Sequence, residues 1–179
     1  MKAPREDWLR AGFELLLQQG PTALKVEPLC RYMGLTKGAF YHHFAGLSGF
    51  EQALLDEWET TNTDAIVQAV TLLASNEARR ALLSELANSR DPKLENALRA
   101  WALYDEDVGK RLKRVDRRRI DFLRQLITPD VAEGIDPHVA AKVVYAHFIG
   151  WQQLHGHLSK SALGEMEALL QTLLLVPAP

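Results

Sequence analysis

The chain has 179 residues, 47% of them hydrophobic and 25% charged, and a net charge of −2. This is an ordinary globular composition, and no apolar run approaches the roughly 20 residues that a membrane span needs. The N-terminus lacks the basic, apolar and cleavage regions of a secretory signal, so we expect a cytoplasmic protein with no membrane partner. The single cysteine, Cys30, excludes an internal disulfide and favours a small buried residue over redox chemistry.

Charge is distributed unevenly along the chain. Up to Gly46, six basic residues stand against four acidic ones, whereas the remainder has 15 against 19. A mildly basic N-terminal region on an acidic body is compatible with contact to phosphates, although two charges alone are a weak indication.

Hydrophobic spacing predicts helices throughout and no strand of useful length, so we expect an all-α fold. A first helix spans residues 4–19 and ends at Gly20-Pro21, and a second spans 26–33 and ends at Gly34 in a left-handed conformation. Thr36 is a good N-cap for a third helix, in which Phe40 and Phe44 share an inward face.

Two short helices joined by a turn that contains glycine, and braced by a preceding helix, form the layout of a helix-turn-helix DNA-binding head. The outward face of the third helix suits DNA. Lys37 can meet a phosphate or a guanine, and the hydroxyls of Tyr41 and Thr36 can donate to phosphates. Gly38 and Ala39 let the helix approach base edges. Each residue alone fits an ordinary exposed surface, whereas together they favour recognition.

This N-terminal pattern resembles the TetR family of bacterial transcriptional regulators over about the first fifty residues. The matching positions are Ala11, Phe13, Gly20, Gly34-Leu35-Thr36 and Tyr41-His42-His43-Phe44. The resemblance implies that the third helix is the recognition helix. The DNA contacts it implies are Thr36, Lys37, Gly38, Ala39, Tyr41, His42 and His43, with Leu29, Cys30, Phe40 and Phe44 in the core of the head.

The sequence departs from the family pattern at two positions that bear on phosphate binding. Lys25 stands where a hydroxyl residue usually caps the second helix, and Leu47 stands where a lysine usually starts the fourth. Lys25 adds a cation and Ser48 can still bond to phosphate, so both join the predicted DNA-binding residues. We expect a lower affinity or an altered operator rather than loss of binding, because each phosphate contact is one increment among several.

We predict a DNA-binding domain at residues 1–46 and a helical-bundle domain for ligand binding and dimerisation at 47–179. A long helix over about 47–74 would link the two mechanically. The further predicted helices span about 77–88, 92–104, 105–127, 138–158 and 161–175, the last two as an antiparallel pair.

The closing helix pair carries more apolar surface than a terminal hairpin needs. It either completes the monomer core or pairs with a second copy about a two-fold axis, the arrangement that the family resemblance also implies. A symmetric homodimer would read a palindromic double-stranded DNA operator. The predicted interface residues are Val143, His147, Gly150, Leu154, Met166, Leu170 and Leu173.

Aromatic residues on successive body helices predict a pocket for a small apolar or aromatic effector, although each ring alone more often only fills a core. A ligand that tilts the linking helix would change the spacing of the two heads and lower operator affinity. The predicted pocket residues are Trp58, Trp101, Tyr104, Tyr145, Phe148 and Trp151.

Two other features are less informative about function. The basic run at 110–119 surrounds a seam of apolar residues and is better explained as a solvated or ion-paired helix face than as a nucleic-acid site. The histidines His138, His147, His155 and His157 lack the spacing of a metal site.

No catalytic motif rises above chance, so we expect neither an enzyme nor a cofactor. The sequence favours a transcriptional regulator, in the form of a repressor released by a ligand. The alternative is an all-α enzyme or carrier that uses an interior aromatic and histidine site.

Overall fold

The computed structural model describes residues 3–154, 157 and 159–175, with only the backbone of Lys160. Over these residues the chain is α-helical, and its one β contact there is an isolated antiparallel bridge between Val131 and Leu175. None of the described helices is both long and apolar enough to cross a membrane. The α-helices are α1 (Arg5–Gln19), α2 (Val26–Met33), α3 (Lys37–His43), α4 (Gly46–Glu59), α5 (Ala65–Thr71), α6 (Asn76–Asn88), α7 (Lys93–Ala102), α8 (Glu106–Ile127), α9 (Pro137–Gln153) and α10 (Lys160–Leu174).

Most of these helices begin and end within a few residues of the predicted positions, because the caps are local. The Ser75 hydroxyl accepts a hydrogen bond from the N–H of Ala78 (3.1 Å) at the start of α6. The Ser159 hydroxyl does the same from Ala162 (3.2 Å) at α10. Such caps satisfy N–H groups that have no partner inside the helix. The all-α fold class predicted from the sequence is confirmed.

The predicted long helix over 47–74 is interrupted in its middle. α4 is followed by a π-helical turn at Thr60–Asp64, and only then by α5. Two side chains of this turn donate back to the last turn of α4, Asn62 Nδ2 to the Trp58 carbonyl (3.1 Å) and the Thr61 hydroxyl to Glu57 (3.3 Å). Threonine and asparagine side chains compete for such bonds and are poor formers of regular α-helix. The linking helix is therefore two α-helices joined by a wider turn.

Four aromatic rings form the core of the N-terminal region. The rings of Trp8 in α1 and Phe40 in α3 meet edge to face, with centroids 5.5 Å apart. Phe40 also lies 5.3 Å from Phe44 and 5.7 Å from Phe50 of α4, and the last two meet edge to face at 5.0 Å. All four side chains are buried. Because such pairs stabilise beyond the area they bury, this cluster holds α3 against both α1 and α4.

Gly12 allows α1 and α4 to approach closely. A Cβ atom at this position would lie 2.5 Å from Cζ of Phe50 and 3.0 Å from Cδ1 of Leu54. Both side chains are fully buried. The absence of a side chain at Gly12 is therefore a packing requirement of the head.

The structure divides into two compact units. The first contains the residues up to Asp64 together with Lys93–Lys110, and the second contains Ala65–Pro92 and the residues from Arg111 onward. The predicted domain boundary between residues 46 and 47 falls inside the first unit. α4 and α7 thus pack in the same unit as the three N-terminal helices.

The second unit has its own core. It is centred on Ile66 and Val70 of α5, Leu126 and Ile127 of α8, and small residues of α9, with leucines of α6 packed against it.

The seam predicted for α8 is confirmed for Leu112, Val115 and Leu126, which are buried, while Phe122 and Leu123 are half-buried. Four basic residues of the same helix, Lys113, Arg114, Arg117 and Arg118, are exposed. The basic run is therefore the outer face of a packed helix.

Candidate nucleic-acid interface

The turn between α2 and α3 sets the position of α3. Gly34 ends α2 with φ 65°, a left-handed conformation that side chains disfavour. Its N–H donates to the Arg31 carbonyl (3.2 Å), and the N–H of Leu35 donates to the Cys30 carbonyl (2.9 Å). The Thr36 hydroxyl then accepts from the N–H of Ala39 (3.3 Å) and caps α3. Both predicted features of the turn, the left-handed Gly34 and the Thr36 N-cap, are therefore present.

α3 has one buried face and one exposed face. Phe40 is fully buried, whereas Tyr41, one residue later, is 58% exposed. The remaining exposed residues of this face are Thr36, Lys37, Gly38 and His42, and Ala39 is half-buried. Because Thr36 accepts its capping bond through oxygen, its hydroxyl hydrogen remains available for a phosphate. The face combines donors, a cation and a position without a side chain.

Lys37 is paired with a residue that the sequence prediction overlooked. Its ammonium donates to Oε1 of Glu27 in the first turn of α2, at 2.5 Å. The hydrogen bond and the opposite charge lower the pKa of Glu27 and raise the pKa of Lys37. Both residues are therefore ionised at neutral pH. Ten residues separate them, so no helical spacing rule could have paired them.

His43, which was also predicted to contact DNA, is engaged in a contact inside the protein. It is half-buried, and its Nε2 lies 3.0 Å from the Ala3 carbonyl, which connects the end of α3 to the chain before α1. Nearby, the Arg5 guanidinium lies over the Phe44 ring, 5.4 Å from its centroid. Arg5 is exposed, so this contact positions a cation beside the end of α3.

The two departures from the family pattern lie at helix starts. Lys25 is exposed and occupies the N-cap position of α2, where its side chain makes no capping bond. α4 begins at Gly46, Leu47 is half-buried, and Ser48 is exposed. Lys25 and Ser48 are therefore both accessible, as a contact with DNA requires.

The six predicted pocket residues fall three in each unit. In the first unit Trp58 and Trp101 are buried, but Tyr104 is 88% exposed, contrary to the expectation that its ring faces inward. α7 ends at Ala102 rather than at 104, which places Tyr104 in a turn. The buried residues of this unit also include Glu95, which pairs with Arg99 at 2.9 Å. The interior of this unit therefore contains an ion pair as well as apolar rings.

In the second unit, Tyr145 and Trp151 are buried and Phe148 is half-buried, with the Tyr145 and Phe148 rings 6.1 Å apart. The Tyr145 hydroxyl donates to Asp116 (2.6 Å), and Arg119 donates to the same hydroxyl (3.4 Å). The sequence prediction took Tyr145 as an aromatic lining residue only. α8 supplies the polar partners, and no sequence signal linked them.

The residues predicted for a dimer interface are accessible in the single chain. On α9 and its C-cap Leu154, Val143 and Leu154 are exposed and His147 and Gly150 are half-buried. On α10, Met166 and Leu173 are exposed and Leu170 is half-buried. A Cβ atom at Gly150 would have nothing within 4 Å. Val139 and Leu169, which lie outside the predicted interface set, are also exposed on α9 and α10.

The histidines of the C-terminal part, for which no metal site was predicted, differ in their exposure. His138 and His157 are exposed, His147 is half-buried, and His155 lies outside the described residues. In the part of the chain that the structure describes, no three His, Cys, Asp or Glu residues form a group that could hold a metal ion.

Comparison with known proteins supports the assignment of the N-terminal region. Residues 9–46 match the family model described as bacterial regulatory proteins, tetR family. No curated protein matches the sequence significantly.

Solved structures share the fold at low sequence identity. Reduced NemR of E. coli is 21% identical, with a TM-score of 0.76 over 98% of this chain and 99% of that one. The ketosteroid transcriptional regulator KstR2 of Mycobacterium tuberculosis is 15% identical (TM-score 0.67, coverage 99% and 97%). AibR, solved with isovaleryl coenzyme A and operator DNA, is 13% identical (TM-score 0.71, coverage 94% and 97%). Residues 9–46 therefore match the tetR family of bacterial regulatory proteins, and the chain shares its overall fold with these solved structures.

Proposed function

We propose that the protein is a sequence-specific DNA-binding transcriptional regulator that inserts α3 into the major groove. The observation that carries this proposal is the exposed face of α3, held outward by the Gly34 turn and the buried ring of Phe40. A helix presented in this way is how helix-turn-helix proteins reach base edges. The tetR family is one of bacterial regulators, which favours this function over an all-α enzyme or carrier.

The exposed residues divide between positioning and sequence recognition. Lys37 and the hydroxyls of Thr36 and Tyr41 suit phosphates, which fix the register of the protein on DNA. His42 and the open position at Gly38 suit base edges in the groove. Lys25 and Ser48 add contacts beside the recognition helix, and residues 1–46 supply this DNA-binding part.

A homodimer would supply the second recognition helix. The support is the exposed apolar stripe on α9 and α10, since an unpartnered stripe of this kind favours association between copies. Two heads related by a two-fold axis would read a palindromic operator with half-site centres about one DNA turn or slightly more apart.

We further propose that a small effector releases the protein from operator DNA. Residues 47–179 would form the part that binds this effector and dimerises. AibR was solved with isovaleryl coenzyme A together with operator DNA, and KstR2 is described as a ketosteroid regulator. The buried rings of Trp58 and Trp101 in the first unit, or those of Tyr145 and Trp151 in the second, offer apolar surface for such a ligand. A compound that raises the melting temperature of the protein should then weaken its complex with operator DNA.

Selection of DNA from a random library by the purified protein tests the proposal. We expect enrichment of a palindromic sequence and a loss of affinity of about tenfold for Tyr41→Ala, which removes one well-placed contact. Tyr32→Ala is the matched control, because Tyr32 is an exposed tyrosine of the same region whose hydroxyl bonds to Glu14 (2.5 Å). No enrichment, or equal losses for the two variants, would contradict the assignment of α3.

A further inference from the structure

The ion pair between Lys37 and Glu27 joins the two helices of the helix-turn-helix. Lys37 is the first residue of α3 and Glu27 the second of α2. Their side chains are 58% and 67% exposed, so the pair lies at the surface, on the same face as Tyr41 and His42. The turn at Gly34 brings the two together across ten residues of chain.

The position of Lys37 is not explained by the stability of α3. A cation at the start of a helix opposes the helix dipole, whereas Glu27 in the first turn of α2 complements it. Lys37 therefore stands at a place where a helix by itself disfavours a positive charge. Glu27 compensates that charge within the free protein, and Arg31, one turn further along α2, also contributes to lowering the pKa of Glu27.

DNA offers Lys37 a second anionic partner. A phosphate within reach of the ammonium competes with the Glu27 carboxylate for the same donors, and a carboxylate left beside the phosphate is repelled by it. A paired lysine also contributes little net charge to the neutralisation of DNA. Since the salt dependence of binding counts the phosphates that are neutralised, the pair should reduce it.

We propose that Glu27 is an intramolecular competitor of the DNA phosphates for Lys37, and that it weakens DNA binding and lowers its salt dependence. This inference rests on the proposed function and concerns the affinity of the same α3 surface for DNA. Glu27 sets affinity without touching a base, so its effect is the same on every DNA sequence.

Affinity measurements on Glu27→Gln over a range of salt concentrations test the inference. The variant should bind the selected operator about three- to fivefold more tightly, the scale of an exposed ion pair. The plot of log affinity against log salt should steepen by up to about 0.9 for each head, or about 1.8 for a dimer on its operator, equivalent to one further phosphate per head. Glu6→Gln is the matched control, because it removes the same charge from an exposed residue of α1 in the same unit. It should change both quantities less.

The same substitution in a Lys37→Gln background separates pairing from general charge. There Glu27→Gln should have no more effect than Glu6→Gln, because the lysine for which Glu27 competes is gone. A gain that persists without Lys37 would overturn the inference. A loss of affinity or an altered sequence preference in Glu27→Gln would also overturn it, because Glu27 would then contact DNA directly, for example by accepting a hydrogen bond from a cytosine.

Failure of this inference is distinguishable from failure of the proposed function. An unmodified protein that selects no DNA sequence removes both. An unmodified protein that selects an operator, with a Glu27→Gln variant of unchanged affinity and unchanged salt slope, removes only the role of Glu27. Circular dichroism of each variant, recorded before the binding assays, verifies that the helices are intact.

Discussion

Replacement of Gly12 by alanine tests the packing of α1 on α4. The new methyl group would lie 2.5 Å from Cζ of Phe50, whose ring is buried between Phe40 and Phe44 at centroid distances of 5.7 and 5.0 Å. Two neighbouring rings therefore restrict how far the Phe50 ring can move away from the new methyl group. Overpacking of this kind costs about 1–3 kcal/mol, and alanine returns about 1 kcal/mol through its higher helix propensity.

We expect a net loss of up to about 2 kcal/mol, which lowers the melting temperature of a chain of this size by up to roughly 8 °C. Thermal and urea unfolding followed by circular dichroism measure it. Gly49→Ala is the control, because its Cβ would meet only Ala45, at an ordinary 3.7 Å, and the variant should gain about 0.5–1 kcal/mol.

A second substitution shows whether the clash with Phe50 is the cause. Phe50→Leu removes the ring that the methyl group meets, so the double variant should lose less stability than the sum of the two single variants. A Gly12→Ala protein that gains as much stability as Gly49→Ala would refute the close approach of α1 and α4, and additive losses would refute the role of Phe50.

Three further predictions concern association, capping and pH. Gly150→Arg and Leu173→Glu should each give monomers in sedimentation experiments at micromolar concentration, because both place charge on the exposed stripe; a monomeric unmodified protein would contradict the homodimer. Thr36→Asp should retain the stability of α3, because aspartate is at least as good an N-cap, yet should lower DNA affinity by about tenfold or more through repulsion of phosphate. Undiminished binding would show that Thr36 faces away from DNA. Burial, and secondarily the charge of Asp105, raises the pKa of Glu51 above its ordinary 4.5. The protonated form therefore contributes stability that is complete below pH 4.5 and is lost as the pH rises through the raised pKa. Glu51→Gln should therefore stabilise the protein against urea at pH 7 but not at pH 4, and an equal gain at both would contradict this.

Features fixed by neighbouring residues were predictable from the sequence. The end of α2 at Gly34 and the start of α3 at Thr36 follow from one residue that adopts a left-handed conformation and one that caps a helix. The buried face of α3 follows from the spacing of Phe40 and Phe44. Together these fixed which residues of α3 are exposed.

Features that depend on contacts between distant segments were not predictable. The pairing of Glu27 with Lys37 requires the turn geometry, and the contact of His43 with Ala3 spans 40 residues of chain. Tyr104 was misplaced because nothing in the sequence marked the end of α7 two residues earlier. The π-helical turn was missed because helical periodicity alone does not register one wider turn.

The aromatic cluster of the head has a thermodynamic consequence for DNA binding. Because Trp8, Phe40, Phe44 and Phe50 already hold α3 against α1 and α4, the head does not have to fold when it meets DNA. Docking of α3 on DNA then requires no folding of α3 itself, which would bury surface and appear as a large negative heat-capacity change. The heat capacity of the binding reaction should reflect only the contact surface itself, together with any bending of the DNA.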